Sequence, residues 1–180
     1  MGGVLEWTDN NNDDAKVFQS ILTHPRLVPL FHGILGKGYC IDHLPFYIIQ
    51  DQGAEGFQLH GGTIDCTSGQ YNPHLAYTCH QNQIFCSLLG VNIMLTDHNA
   101  GDGGFCVVPG SHKSNFKMPK GMVDGHAYSD CIRQLETKAG DVVLFSEGTM
   151  VPCRDGEVEI TTRSERKKQH DREVFGTKYF

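Results

Sequence analysis

The residues of this chain best placed to do chemistry are histidines and acids at the ends of apolar runs. His60 closes the run Phe57–His60 and is followed by Gly61-Gly62, in the segment LHGG. A histidine that ends a short strand before two glycines can turn its ring toward a cavity while the backbone swings away, and neutral imidazole is a common metal ligand. Taken alone, His60 reads as a structural histidine at a strand end. Asp65 lies a short way downstream; Asp97, His98 and Asp102 share a Gly- and Asn-rich stretch; His112 follows Pro109-Gly110-Ser111. Asp102 with its glycines reads as a turn former, and Asp97 and His98 as surface. Tyr71, Gln83 and Asn92 are hydrogen-bonding side chains near or inside β-like runs, where polar residues at alternate positions share one face. Arg163, Arg166 and His170 lie in or beside the charge run SERKKQHDRE, whose plain reading is solvated surface. Ser111 is not in a G-x-S-x-G elbow and no Gly-rich phosphate loop is present, so hydrolase and nucleotide chemistry have little support.

The elements that must position these residues centre on Gln83 to Asn115, QIFCSLLGVNIMLTDHNAGDGGFCVVPGSHKSN. Val91, Ile93 and Leu95 alternate with the period of a half-buried strand, predicting a strand over Gln83–Thr96. Phe105–Val108 is a second, shorter run. The Asp/Asn/Gly cluster Asp97–Gly104 and the Pro109-Gly110 turn predict an antiparallel pair with a tightly specified corner. Upstream, Asp14 can cap a helix that turns Val17, Phe18, Ile21 and Leu22 inward and ends at Pro25. A second short helix turns Leu27, Leu30, Phe31 and Ile34 inward and closes at Gly36 or Gly38. Tyr39–Ile41, Phe46–Ile49, Ile132–Glu136, Asp141–Phe145 and Glu157–Thr162 read as further strands, with a hairpin-like link at Thr137–Gly140. The stretch 51–56 reads as a turn, 63–82 and 117–130 as loops. Two short helices followed by many short strands predict a mainly β fold, a sandwich or jelly roll with a helical N-terminal flank.

GDGGFCVVPGSHKSNF, with LHGG upstream and AGDVVLFSE downstream, resembles the signature of the phytanoyl-CoA dioxygenase family, non-haem iron oxygenases that use 2-oxoglutarate. The resemblance is strongest over 13–150 and fades over 151–180, within what reads as a single domain. It implies a double-stranded β-helix of the cupin type, Fe(II) and 2-oxoglutarate as cofactor and co-substrate, and O₂-dependent hydroxylation of a small organic substrate. It also implies two histidines and a carboxylate on one face of the iron. His60 matches the first ligand. Position 62, where the pattern puts the carboxylate, is Gly62; either another acid such as Asp65 supplies the ligand, or the site lacks it, as in iron halogenases that leave room for chloride. Val151 stands where the second histidine is expected, which leaves His170 as a displaced candidate. Arg163 and Arg166 lie at about the right distance for the arginine that pairs the far carboxylate of 2-oxoglutarate, a bidentate task suited to guanidinium. Tyr71, Gln83 and Asn92 are further candidates for hydrogen bonds to it, and His112 and Lys113 for bracing the corner or lining the pocket mouth. The two departures leave open a second class of function, a non-catalytic module derived from an oxygenase by loss or truncation.

A chain of 180 residues with 39% hydrophobic and 20% charged residues can bury a core. The net charge of −6 argues against a nucleic-acid partner held by bulk electrostatics. No apolar run is long enough to span a membrane, and neither a signal peptide nor a myristoylation pattern is visible. The seven scattered cysteines form no C-x-x-C pair, and Cys86 and Cys106 sit in apolar runs. That usage predicts buried thiols and a reducing, intracellular, cytoplasmic setting.

Overall fold

The computed structural model describes residues 2–4, 13–50, 59–123, 127–152 and 173–179. Eleven strands are found among them: β1 (Gly2–Val4), β2 (Phe46–Gln50), β3 (Leu59–His60), β4 (Tyr77–His80), β5 (Gln83–Cys86), β6 (Leu89–Met94), β7 (Cys106–Val107), β8 (Arg133–Gln134), β9 (Val142–Ser146), β10 (Val151–Pro152) and β11 (Glu173–Tyr179). Three helices join them: α1 (Asp13–Leu22), α2 (Val28–Leu35) and α3 (Lys120–Val123). The main sheet is antiparallel, in the order β1-β2-β11-β6-β9.

Strand β6 explains how the layers are stacked. Its residues alternate between two apolar surroundings, as the two-residue period of a strand demands. Leu89 and Val91 pack on Leu27 and Phe31, with Val142 and Leu144 of β9 beside them. The helices therefore cover one face of the sheet. Met94 and Phe145 point the other way, onto Phe105 and Val151. Full burial of side chains such as Phe31 and Val91 contributes roughly 1.5–3 kcal/mol each. Helix α2 closes where Gly36 takes a positive φ of 87° and its N–H returns to the His32 carbonyl.

The opposite layer is assembled from short pairs. β7 pairs with β8, and β10 with β3. The Val108 N–H donates to the Met150 carbonyl at 2.9 Å, joining the two pairs side by side. Met94, Phe105, Phe145 and Val151 fill the space between the layers. On the outer side of β3–β10, Leu59 and Met150 pack against Met118 and Met122, the latter from α3. Two facing antiparallel layers whose strands alternate between them make a jelly roll, as expected.

The pairing departs from the sequence-based expectations in several places. The run Gln83–Thr96 is two strands, broken at Ser87-Leu88, and β5 pairs with β4 inside the stretch read as loop. Gln81 and Asn82 both take positive φ, 49° and 64°, the two-residue turn that suits a hairpin. Tyr77–His80 has no apolar alternation, so the hairpin left no periodic signal. Phe105–Val108 does not pair with its predecessor, and Thr137–Gly140 is not a hairpin link: β7 pairs with β8 while β9 pairs with β6. Sequence neighbours here lie in different layers, and local patterns cannot reveal that. Tyr39–Ile41 is not a strand; Tyr39 sets its ring edge-on to Phe31 at 5.5 Å. Val17 and Leu30, expected inside, are exposed. Helix α3 falls in the expected loop 117–130, and β11 begins at the last residue of the charge run. The turn at 51–56 and the strand Glu157–Thr162 lie outside the described residues. Among the described residues no helix is long and apolar enough to cross a membrane.

Candidate functional site

The site is built where β3 meets β10. Val151 pairs directly with His60, and Pro152 with Leu59. Opposed residues of an antiparallel pair project to the same face, with Cβ atoms about 4.5–5.5 Å apart. Val151 is 4% exposed and packs between the layers. His60 therefore belongs to the inter-layer face, at its rim, where it is exposed to solvent. The chain then leaves β3 through Gly61 and Gly62, both at positive φ, 91° and 85°. A Cβ on Gly61 would run into the Thr149 carbonyl, and the Gly62 N–H donates to the Glu147 carbonyl at 3.3 Å. Residues 147–149 thus clamp the glycine pair, which is the physical link between LHGG and AGDVVLFSE.

The GSHK corner holds the segment entering β10, the partner of β3. Gly110 takes φ 79°, opening a short 3₁₀ turn over Ser111–Lys113. The buried Ser111 hydroxyl donates to the Val108 carbonyl at 2.6 Å and accepts the Met150 N–H at 2.8 Å. His112 stacks edge-on against Tyr77, with centroids 4.5 Å apart. Its imidazole is held below the usual range, chiefly by burial and then by Lys113. All three signature segments thus converge on residues 147–151.

Two buried polar side chains stand near this frame: Asn92, already singled out from the sequence, and Glu147, which was not. The Glu147 side chain is 7% exposed, its Oε1 has no hydrogen-bond partner among the described residues, and burial pushes the carboxyl up to about 7. Asn92 is 1% exposed with Oδ1 likewise unpartnered. It lies on the inter-layer face of β6 between Gly90, over which the Phe145 ring sits, and Met94. His98, expected at the surface, is buried instead; its Nδ1 meets the Thr137 hydroxyl at 3.2 Å and Gly104 leaves room for its ring. Burial pulls its imidazole below the usual range. Asp97 is exposed and accepts from the Ala139 N–H and from Lys138, and Asp102 caps its turn by accepting from Asn99.

Of the residues singled out as metal or co-substrate ligands, the structure places His60 at the rim and Asn92 on the inter-layer face. Asp65 is exposed and committed to its own turn, where Oδ1 accepts from the N–H groups of Thr67 and Ser68 and from the Ser68 hydroxyl. Those donors, Ser68 first, hold its carboxyl below the usual range. Tyr71 is exposed and bridges to Ile64; Gln83 is exposed at the start of β5. Arg163, Arg166 and His170 lie outside the described residues. Among the described residues no three His, Cys, Asp or Glu side chains converge as a metal site. A Cβ at Gly62 would sit 3.4 Å from the Met150 side chain, and Val151 offers only methyl groups. The face of two imidazoles and a carboxylate that such an iron centre needs is therefore not assembled by these residues.

Comparison with known proteins sets this geometry in context. The family model described as phytanoyl-CoA dioxygenase (PhyH) matches residues 8–150. The fold is similar to that of HygX from Streptomyces hygroscopicus, crystallised with nickel and 2-oxoglutarate. That likeness has a TM-score of 0.74 at 16% identity, over 99% of this chain and 70% of HygX. A HygX crystal that also holds hygromycin B gives 0.70 at 17% identity, over 91% of this chain and 64% of the other. EctD from S. alaskensis, crystallised with 2-oxoglutarate and 5-hydroxyectoine, gives 0.61 at 14% identity, over 93% and 52%. No curated protein sequence matches the chain. The matched signature and the jelly roll agree: the chain belongs to the phytanoyl-CoA dioxygenase family of Fe(II)- and 2-oxoglutarate-dependent oxygenases.

Proposed function

We propose that this chain acts on a small organic substrate, with 2-oxoglutarate-dependent hydroxylation as its reaction, and that it turns over slowly. The observation that carries this reading is the register of β3 and β10, which sets His60 directly opposite Val151 at the rim of the inter-layer space. The frame is that of an oxygenase, yet only one of the two opposed positions carries a donor. Asn92, buried on the same face, is our candidate for a hydrogen bond to 2-oxoglutarate, with Tyr71 and Gln83 as weaker ones because both are exposed. Asp65 and His170 are the candidate further ligands, and Arg163 or Arg166 the candidate partner of the far carboxylate. The small-molecule class is supported by the hygromycin B and 5-hydroxyectoine held by HygX and EctD. Six cysteines among the described residues stand outside disulfides, which suits a reducing, cytoplasmic setting.

A second reading, a non-catalytic module, is favoured by one observation: Val151 is packed into the core with Met94, Phe105 and Phe145. Succinate release from 2-oxoglutarate in the presence of Fe(II), O₂ and ascorbate separates the two. Slow, Fe(II)-dependent succinate formation supports the oxygenase reading. None above the protein-free background supports the module.

A further inference from the structure

We infer that positions 60 and 151 are a preformed pair of metal-donor positions of which this chain fills one, core packing having taken the place of the other. The inference deepens the oxygenase reading and rests on it only for the identity of the metal face. His60 and Val151 are directly paired across antiparallel strands, so their side chains share a face at a separation a single ion can bridge. The backbone at both positions is fixed independently of any metal. On one side Gly61 and Gly62 are clamped by residues 147–149; on the other, Ser111 ties Met150 to Val108. A donor placed at 151 therefore needs no rearrangement of the chain to meet His60. The carboxylate corner differs, because Gly62 has a positive φ of 85°, which a residue with a side chain rarely adopts. The expected result is a weak one-donor site in the natural chain and a two-donor site after one substitution at 151.

The experiment titrates Ni(II) and Co(II) into the full chain, Val151→His and Val151→Cys, each with and without His60→Ala. It reads binding by calorimetry, the metal-induced shift in Tm, and the thiolate-to-cobalt absorption band of the cysteine variant. Turnover is not read, so failure here is distinguishable from failure of the oxygenase reading. A second donor on a rigid frame should tighten binding by about tenfold or more, because it binds intramolecularly. Loss of that gain on His60→Ala completes the expected result. Val151→Cys nearly conserves volume and so guards against misfolding of the histidine variant. The inference is overturned if the natural chain already binds as tightly as the variants, or if a folded variant gains nothing. It is equally overturned if the gain survives His60→Ala. Failure of both variants to fold would also overturn it, since a preformed pair accepts a residue of valine's size.

Discussion

Glu147→Gln should make the chain more stable at alkaline pH and leave it unchanged at acid pH. Burial raises the Glu147 carboxyl from 4.5 to about 7. The unfolded chain releases that proton near the ordinary value, so between the two values the folded state holds more protons than the unfolded one. Stability must then fall as pH rises through this window and level off above it. At about 1.4 kcal/mol per pH unit, the rise is worth roughly 3 kcal/mol as a ceiling, which relaxation and water entry reduce. Glutamine has the same shape and no charge to bury. At pH 8 the variant should therefore be more stable by about 1–3 kcal/mol, and at pH 4 the two should agree within about 0.5 kcal/mol, since the protonated acid and the amide are both neutral. His98 and His112, whose imidazoles are lowered by burial, work in the opposite sense: they make stability rise with pH. Both proteins share them, so their contribution cancels in the difference. Urea midpoints from pH 4 to pH 8.5, at unchanged m, measure that difference. A constant gap across the range would mean that Glu147 titrates alike in the folded and unfolded states and that burial does not raise its carboxyl.

Gly90→Ala should cost about 1–3 kcal/mol in urea unfolding, because its Cβ would fall within the Phe145 ring, which the inter-layer core holds in place. Gly61→Ala should cost about 2 kcal/mol or more, since it combines a positive φ with a clash against a backbone carbonyl that cannot move aside. Ser111→Ala should cost about 1–3 kcal/mol by leaving the buried Met150 N–H without its acceptor, while the Val108 carbonyl keeps the backbone N–H of residue 111. Amide exchange at Met150 should speed up in that variant.

The sequence revealed elements whose signal is local. Val91 and Ile93 of the β6 alternation, the apolar face of α2 apart from Leu30, its Gly36 stop, and the signature segments were legible from residue order, whereas Leu95 falls beyond β6 and is exposed. What escaped is what depends on layering. Nothing in Phe105–Val108 says that it pairs with Arg133–Gln134, and nothing in Glu173–Tyr179 says that it inserts between β2 and β6. Within the site, His60 and Val151 could each be singled out against a family pattern, yet only the ladder register shows them face to face. Glu147 looked like part of a motif; its burial without a partner is a property of packing. The positive φ at Gln81-Asn82 escaped because glutamine is a poor turn marker.

On the reading proposed above, this family member keeps the frame of an oxygenase, and of the paired positions 60 and 151 only the first carries a donor side chain. The most direct measurement is the iron retained by the unmodified chain after anaerobic loading with Fe(II) and 2-oxoglutarate followed by desalting, read by mass spectrometry of the metal. Retention should be far below one iron per chain, because a single imidazole forms no chelate. Stoichiometric iron that survives desalting would contradict it and place the remaining ligands elsewhere in the chain.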